Sequence, residues 1–135
     1  MSELKVDKFT GVSTAGSIDV TGEGGSTTTN LQQGLAKAFL AYKGTATNEI
    51  YDSDNIASVT DNSTGKHTPN FTNNFNGAND YALSAFAQQD SGGGGRFLCG
   101  FGSPATDSRP IETRTSANSL GDHLYVNVAF HGDLA

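Results

Sequence analysis

The sequence has no tryptophan, one cysteine, one methionine and three prolines among 135 residues. Charged residues are only 16% of the chain and hydrophobic residues 35%, both low for a globular protein. With Cys99 alone, no internal disulfide framework can form. No apolar run approaches the roughly 18–20 residues of a membrane helix. The opening Met1-Ser2-Glu3-Leu4-Lys5-Val6-Asp7-Lys8 lacks the apolar core of a signal peptide, so folding in a cytoplasm is expected. Eight Lys and Arg against 14 Asp and Glu leave a formal net charge of -6. A nucleic-acid partner is therefore not expected, because phosphate neutralisation needs a basic face. Scarce Leu, Glu, Lys and Arg argue against a helical bundle or coiled coil.

What fills the chain is small and polar: 17 Gly, 15 Thr, 13 Ser and 11 Asn. Such a composition can mean disorder. Here, however, the apolar residues gather in short clusters separated by turn residues, the pattern of a small all-β protein. Residues 1–34 carry little apolar material: Leu4, Val6 and Phe9 in one group, Ile18 and Val20 in another. Two such segments cannot build a core. They are expected to form an extended N-terminal arm for anchoring or oligomerisation.

From Leu35 the apolar density rises. Residues 36–42 contain good helix formers, yet Lys37, Phe39 and Ala41 alternate with Ala38, Leu40 and Tyr42, and a strand is expected. Asp52-Ser53-Asp54-Asn55 reads as a polar turn, and Asn62 to Lys66 as another. In the strand over residues 67–72, Pro69 favours an edge or bulge. Residues 73–80 read as a loop with one aromatic anchor, Phe75. Tyr81, Leu83, Ala85 and Ala87 share one side of a strand, and Leu124, Val126, Val128 and Phe130 define the buried face of the last. About eight strands between residues 35 and 131 predict an antiparallel β-sandwich, jelly-roll-like, over residues 35–135.

Chemical motifs are sparse. Asp52-Ser53-Asp54-Asn55 resembles the start of a calcium loop, but Ala57 and Ser63 occupy the positions where that loop needs Gly and Glu. The run Gly92-Gly93-Gly94-Gly95-Arg96 lacks the Lys-Ser/Thr pair of a phosphate cradle and reads as a flexible tip. His67, His123 and His131 have no metal-ligand spacing. Cys99 reads as a buried small hydrophobe. Glu49, Asp52 and Asp54 are the carboxylates closest to the pair a glycan hydrolase needs. No catalytic residue, cofactor or metal is expected. Tyr42, Tyr51, Asn74, Asn76 and Asn79 are the candidate glycan contacts, through aromatic faces and amide groups.

Three stretches carry a resemblance. Residues Leu4 to Gly24 are similar to the N-terminal arm of short structural and fibre proteins of tailed marine bacteriophages. Leu35-Ala36-Lys37-Ala38-Phe39 and Ile56 through Thr68 resemble their repeated core motif, with Phe39 for the usual Trp, Ser63 for Gly and His67 for Tyr. Val126 to Ala135 resembles their C-terminal strand. The resemblance implies a non-enzymatic virion structural protein assembled in the bacterial cytoplasm, and a sparse apolar arm before a compact β domain suits a homotrimeric fibre-like or decoration protein. Its expected partners are copies of itself, other head or tail proteins, and a host surface glycan if it sits at a fibre tip.

Overall fold

The structure is a computed structural model that describes residues 5–8, 10, 18–21, 25, 28–88 and 97–134. It divides into two compact units, Met1–Leu35 and Ala36–Ala135. Of the expected arm residues, Leu4 and Phe9 lie outside the described residues. In the first unit β1 (Asp19–Thr21) pairs antiparallel with β2 (Thr28–Asn30), setting Val20 opposite Thr29. A single helical turn, α1 (Leu31–Gly34), follows, and Leu31 N–H donates to Ile18 O at 2.8 Å. Ile18 is half-buried, whereas Val6 and Val20 are 47% and 51% exposed.

The second unit is all-β. Its strands are β3 (Ala36–Lys43), β4 (Glu49–Asp54), β5 (Ile56–Ser63), β6 (Lys66–Phe71), β7 (Tyr81–Gln88), β8 (Phe97–Gly100), β9 (Ile111–Arg114) and β10 (Tyr125–Gly132). They form two four-stranded antiparallel sheets, in the orders β4-β3-β10-β7 and β5-β6-β9-β8. The eight strands expected from the sequence are thus present in two layers. The first and last strands of the unit are neighbours: Leu40 faces Val128 and Phe39 faces Ala129.

Alternation decides which side of each strand is buried. Ala38, Leu40 and Tyr42 of β3 and Val126, Val128 and Phe130 of β10 point to the core, joined by Ala87, Phe71 and Ile111. On β6 the inward set is His67, Pro69 and Phe71. At one end Phe71, Phe75, Tyr81 and Phe130 pack edge to face and tilted, with centroids 4.4–6.4 Å apart. Tyr81 keeps its polar end satisfied by donating to Ala105 O or Ser108 O, at 3.0 and 3.2 Å. Strand β9 is covered on both sides: Ile111 and Thr113 are inward, and Glu112 is held by Arg114, whose Nε donates to its Oε1 at 2.6 Å.

Two expectations about local structure need correction. The expected turn over Asp52–Asn55 is narrower, because β4 runs to Asp54 and the chain reverses at Asn55, whose φ is 56°. The Asn55 side chain stabilises the reversal by accepting from Asn73 N–H at 2.7 Å and donating to Asn73 O at 3.1 Å. Pro69 lies in an inner strand. The missing N–H is tolerated because the β6–β9 ladder covers only Lys66 and His67, and beside the segment that precedes β9 Pro69 serves only as acceptor, from Arg109 N–H at 3.0 Å. The Gly92–Gly95 tip and the Cys99 side chain lie outside what is described.

Candidate functional site: an apolar sheet face and a buried histidine cluster

The two sheets present opposite outer surfaces. On β5 and β6 the outer side is hydroxyl and amide: Asn70 Nδ2 donates to Ser58 Oγ and Thr60 Oγ1, both at 3.0 Å, and Thr68 Oγ1 donates to Asn62 Oδ1 at 2.8 Å. The outer side of β4-β3-β10-β7 is apolar at its centre. The register sets Phe39 opposite Ala129 and Ala129 opposite Ser84, while Ala41 faces Asn127 and Asn127 faces Phe86. Small side chains on β10 therefore separate two large ones. The result is an open groove of about 430 Å³ whose floor includes Ala41, Ala129 and Ser84 and whose walls are Phe39 and Phe86. The two phenylalanines are 38% and 48% exposed. Tyr51 and Tyr125, 47% and 44% exposed, extend the aromatic surface with ring centroids 6.1 Å apart. Asp52 and Asp54, opposite Ala41 and Phe39, line the β4 margin with acid.

A second cluster lies inside the same unit. His67 is fully buried and His123 nearly so. The Tyr42 ring meets His67 edge to face at 5.5 Å. His123 Nε2 lies 3.2 Å from Arg114 O; a carbonyl only accepts, so this nitrogen carries the proton. His67 Nε2 is 3.8 Å from Asp122 Oδ1. Among the described residues no hydrogen-bond partner meets Tyr42 Oη, either nitrogen of His67, His123 Nδ1 or the Asn48 amide. Burial outweighs the pull of Asp122 and Asp61 and holds the His67 imidazole below its ordinary value. Burial, then the Asp122 and Asp61 charges, pushes the Tyr42 phenol well up. Both groups are therefore neutral near pH 7. With His67, His123 and Tyr42 at 0–1% exposure, the cluster is closed to solutes and acts on stability.

That placement sets a pH dependence. Unfolding releases His67 to its ordinary value near 6.5, above its folded value, so the unfolded chain binds the proton more readily. His67 therefore contributes stability that is present above about pH 6.5 and is lost as pH falls through that value towards its folded one. Melting temperature should fall between pH 7 and pH 5, and His67→Gln should flatten that slope. An equal slope in both proteins would mean that groups other than His67 set it.

The five residues expected to contact glycan do not converge. Tyr42 is a core residue at 0% exposure, a correction that follows from its sharing the inward side of β3 with Ala38 and Leu40. Tyr51 lies beside Tyr125 at the start of β10. Asn74, Asn76 and Asn79 are exposed in the loop over residues 72–80. That loop is fastened near the other end of β10 by Asn76 N–H donating to Asp133 O at 2.8 Å. Residues 125 and 132 are about 23 Å apart along a strand, so the tyrosine and the asparagines belong to different surfaces. Glu49, Asp52 and Asp54 are all exposed along one edge strand. Among the described residues no three His, Cys, Asp or Glu side chains gather as metal ligands, and no helix is long and apolar enough to cross a membrane.

Sequence reasoning missed the Phe39–Phe86 groove. The alternation already put Phe39 opposite in parity to Leu40, and Phe86 opposite to Leu83 and Ala87. What it could not give was β10 between them. No family model, curated protein or solved structure matches the chain.

Proposed function

We propose that this chain is a non-enzymatic structural subunit of a bacteriophage virion, assembled in the host cytoplasm into a homotrimer and held to neighbouring head or tail proteins. The observation that carries this reading is the apolar outer face built on Phe39 and Phe86. Contiguous apolar surface with a polar margin is what a soluble chain keeps for a partner. The exposed Val6 and Val20 of the first unit add apolar area that its own short hairpin does not cover. The resemblance of the arm, core motif and C-terminal strand to phage structural proteins supplies the particle.

The alternative, a glycan-binding module at a fibre tip, keeps only the exposed Asn74, Asn76 and Asn79. Phe75, the aromatic of that loop, is buried, and Tyr51 lies elsewhere.

Deleting residues 1–30 tests the role of the arm. The Ala36–Ala135 unit has its own core, so the shortened chain should keep its β circular dichroism and its melting transition. It should nevertheless fail to enter particles when supplied in place of the full-length protein. Particle incorporation at the full-length level would remove the arm from assembly.

A further inference from the structure

Each sheet has two edge strands, and an exposed edge is a template for pairing unless something blunts it. In the two four-stranded sheets, three of the four edges are blunted or short. Strand β4 carries Glu49, Asp52 and Asp54, and its register with β3 slips between Ala41 and Tyr42. Strand β5 slips twice against β6, between Ile56 and Ser58 and between Asp61 and Ser63, and contains Asp61. Strand β8 has four residues. Strand β7 differs in every respect. Its eight residues, Tyr81 to Gln88, include no charge, proline or glycine. They pair with β10 without a register shift from Gln88 opposite Tyr125 to Tyr81 opposite Gly132. Among the described strands none pairs with its other side.

We propose that β7 is a self-pairing edge: two copies of the chain join antiparallel along it across a two-fold axis, making one continuous eight-stranded sheet. The inference rests on the reading of the chain as an assembling homotrimer and adds to its threefold contact a separate two-fold one, which joins two trimers. The occupant follows from charge. A chain of net charge -6 repels its own copies along acidic edges, and β7 is an uncharged one along which two copies can meet. Identical strands meeting antiparallel are self-complementary, as a two-fold interface requires, and the backbone groups along the free side provide the hydrogen bonds.

The register follows from the same reasoning. A two-fold perpendicular to the sheet keeps both cores on one side and opposes only residues of like facing. Pairing centred on Ser84 meets that condition, placing Ser84 opposite Ser84 of the partner subunit and Ala82 opposite Phe86 of the partner subunit. Centring on Ala85 also meets it, but leaves Tyr81 outside the paired residues of the strand. Centring on Ser84 sets Asp80 against Gln88. Large is then opposed to small on the outer face, and the two Phe39–Phe86 grooves become one surface.

Ser84 is exposed on that outer face, so a charge there leaves the core intact. Ser84→Lys and Ser84→Asp should each place like charges opposite one another on the axis and weaken the contact by more than about tenfold. By sedimentation or mass photometry of the full chain, wild type should show twice the mass of either variant alone. Mixing the two variants in equal amounts should restore the wild-type mass, because Lys then meets Asp. If Ser84→Lys keeps the wild-type mass, or the mixture stays at half, β7 pairing about Ser84 is wrong while self-assembly stands. If wild type is a single chain at every concentration, self-assembly itself fails and this contact with it.

Discussion

Phe75→Ala should cost the β-sandwich about 3–5 kcal/mol, the range for truncating a buried aromatic. For a body of this size that is about 15–30 °C in melting temperature, and it is comparable to the whole stability of a marginal domain. Phe75 belongs to a loop, where a substitution would ordinarily be mild. Yet its ring is fully buried and lies 4.8 Å from Phe71 and 4.4 Å from Tyr81 between centroids. The backbone around it is fixed from two sides: Phe75 N–H donates to Thr106 O at 2.9 Å, and Asn76 N–H to Asp133 O at 2.8 Å. The second of these bonds is part of a bridge between Phe75 and Leu134. A loop tied at these points cannot collapse into the space the ring leaves, so the cavity persists and the cost stays near the upper range. Phe86→Ala removes a ring of the same size from the exposed face and should change the stability of a single chain by about 0.5 kcal/mol or less. Chemical denaturation of both variants checks the pair. A loss below about 1 kcal/mol at Phe75 would mean that the loop is not part of the core.

The contrast between those two phenylalanines shows how far the sequence could be read. Alternation is a local signal, and it read the inward parity of β7 and β10, although Ala85 on the inward side of β7 is exposed and Leu124 lies half-buried just before β10. It identified Val126, Val128 and Phe130 on β10 and separated Tyr81, Leu83 and Ala87 from Phe86 on β7. It also favoured a strand over a helix for Ala36–Lys43, where helix-forming Ala, Lys and Leu compete with the two-residue period. Packing of Ala38, Leu40 and Tyr42 against the facing sheet overrides that propensity. The same alternation already contained the burial of Tyr42. Its phenol suggested a surface ligand contact, but position on the strand outranks the polarity of one hydroxyl.

Features that depend on strand order were not legible. Phe39 and Phe86 are 47 positions apart in the chain and become walls of one groove only because β10, the last strand, inserts between β3 and β7. His67 and His123 share no metal spacing, and none is needed: β6 and the segment before β10 bring them into one buried cluster with Tyr42 for reasons of packing. A proline cannot donate to a neighbouring strand, which marks Pro69 for an edge. The sheet satisfies the same constraint by ending the β6–β9 ladder early.

The second large effect should come from Gly65→Ala. Gly65 closes the β5–β6 hairpin with φ at +68°, and a Cβ there would stand 2.7 Å from both Gly121 N and Thr113 O. Both are backbone atoms, so no side-chain rotation relieves the contact. The surrounding groups also hold one another. Gly65 N–H donates to Asp122 Oδ1 at 2.5 Å, Thr113 N–H donates to Gly65 O at 2.8 Å, and Thr113 Oγ1 donates to Gly121 O at 2.6 Å. The left-handed backbone costs about 1–2 kcal/mol with a side chain, and the overpacking about 1–3 more. Gly102→Ala separates these terms, because Gly102 has φ at +65° but its nearest atoms to a new Cβ are those of Pro110 at 3.8 Å. It should show the backbone cost alone, and the difference between the two variants in chemical denaturation measures the clash. The displacement should reach further than stability. Asp122 is held by Gly65 N–H and faces His67 Nε2 at 3.8 Å. Moving the hairpin withdraws the carboxylate whose charge opposes the burial of His67, so the His67 imidazole should fall further below its ordinary value. The acid loss of stability should then steepen in Gly65→Ala and stay unchanged in Gly102→Ala. Equal stability and equal pH slopes in the two variants would show that the hairpin shifts freely, and that the contacts of Gly65 do not couple the turn to the histidine cluster.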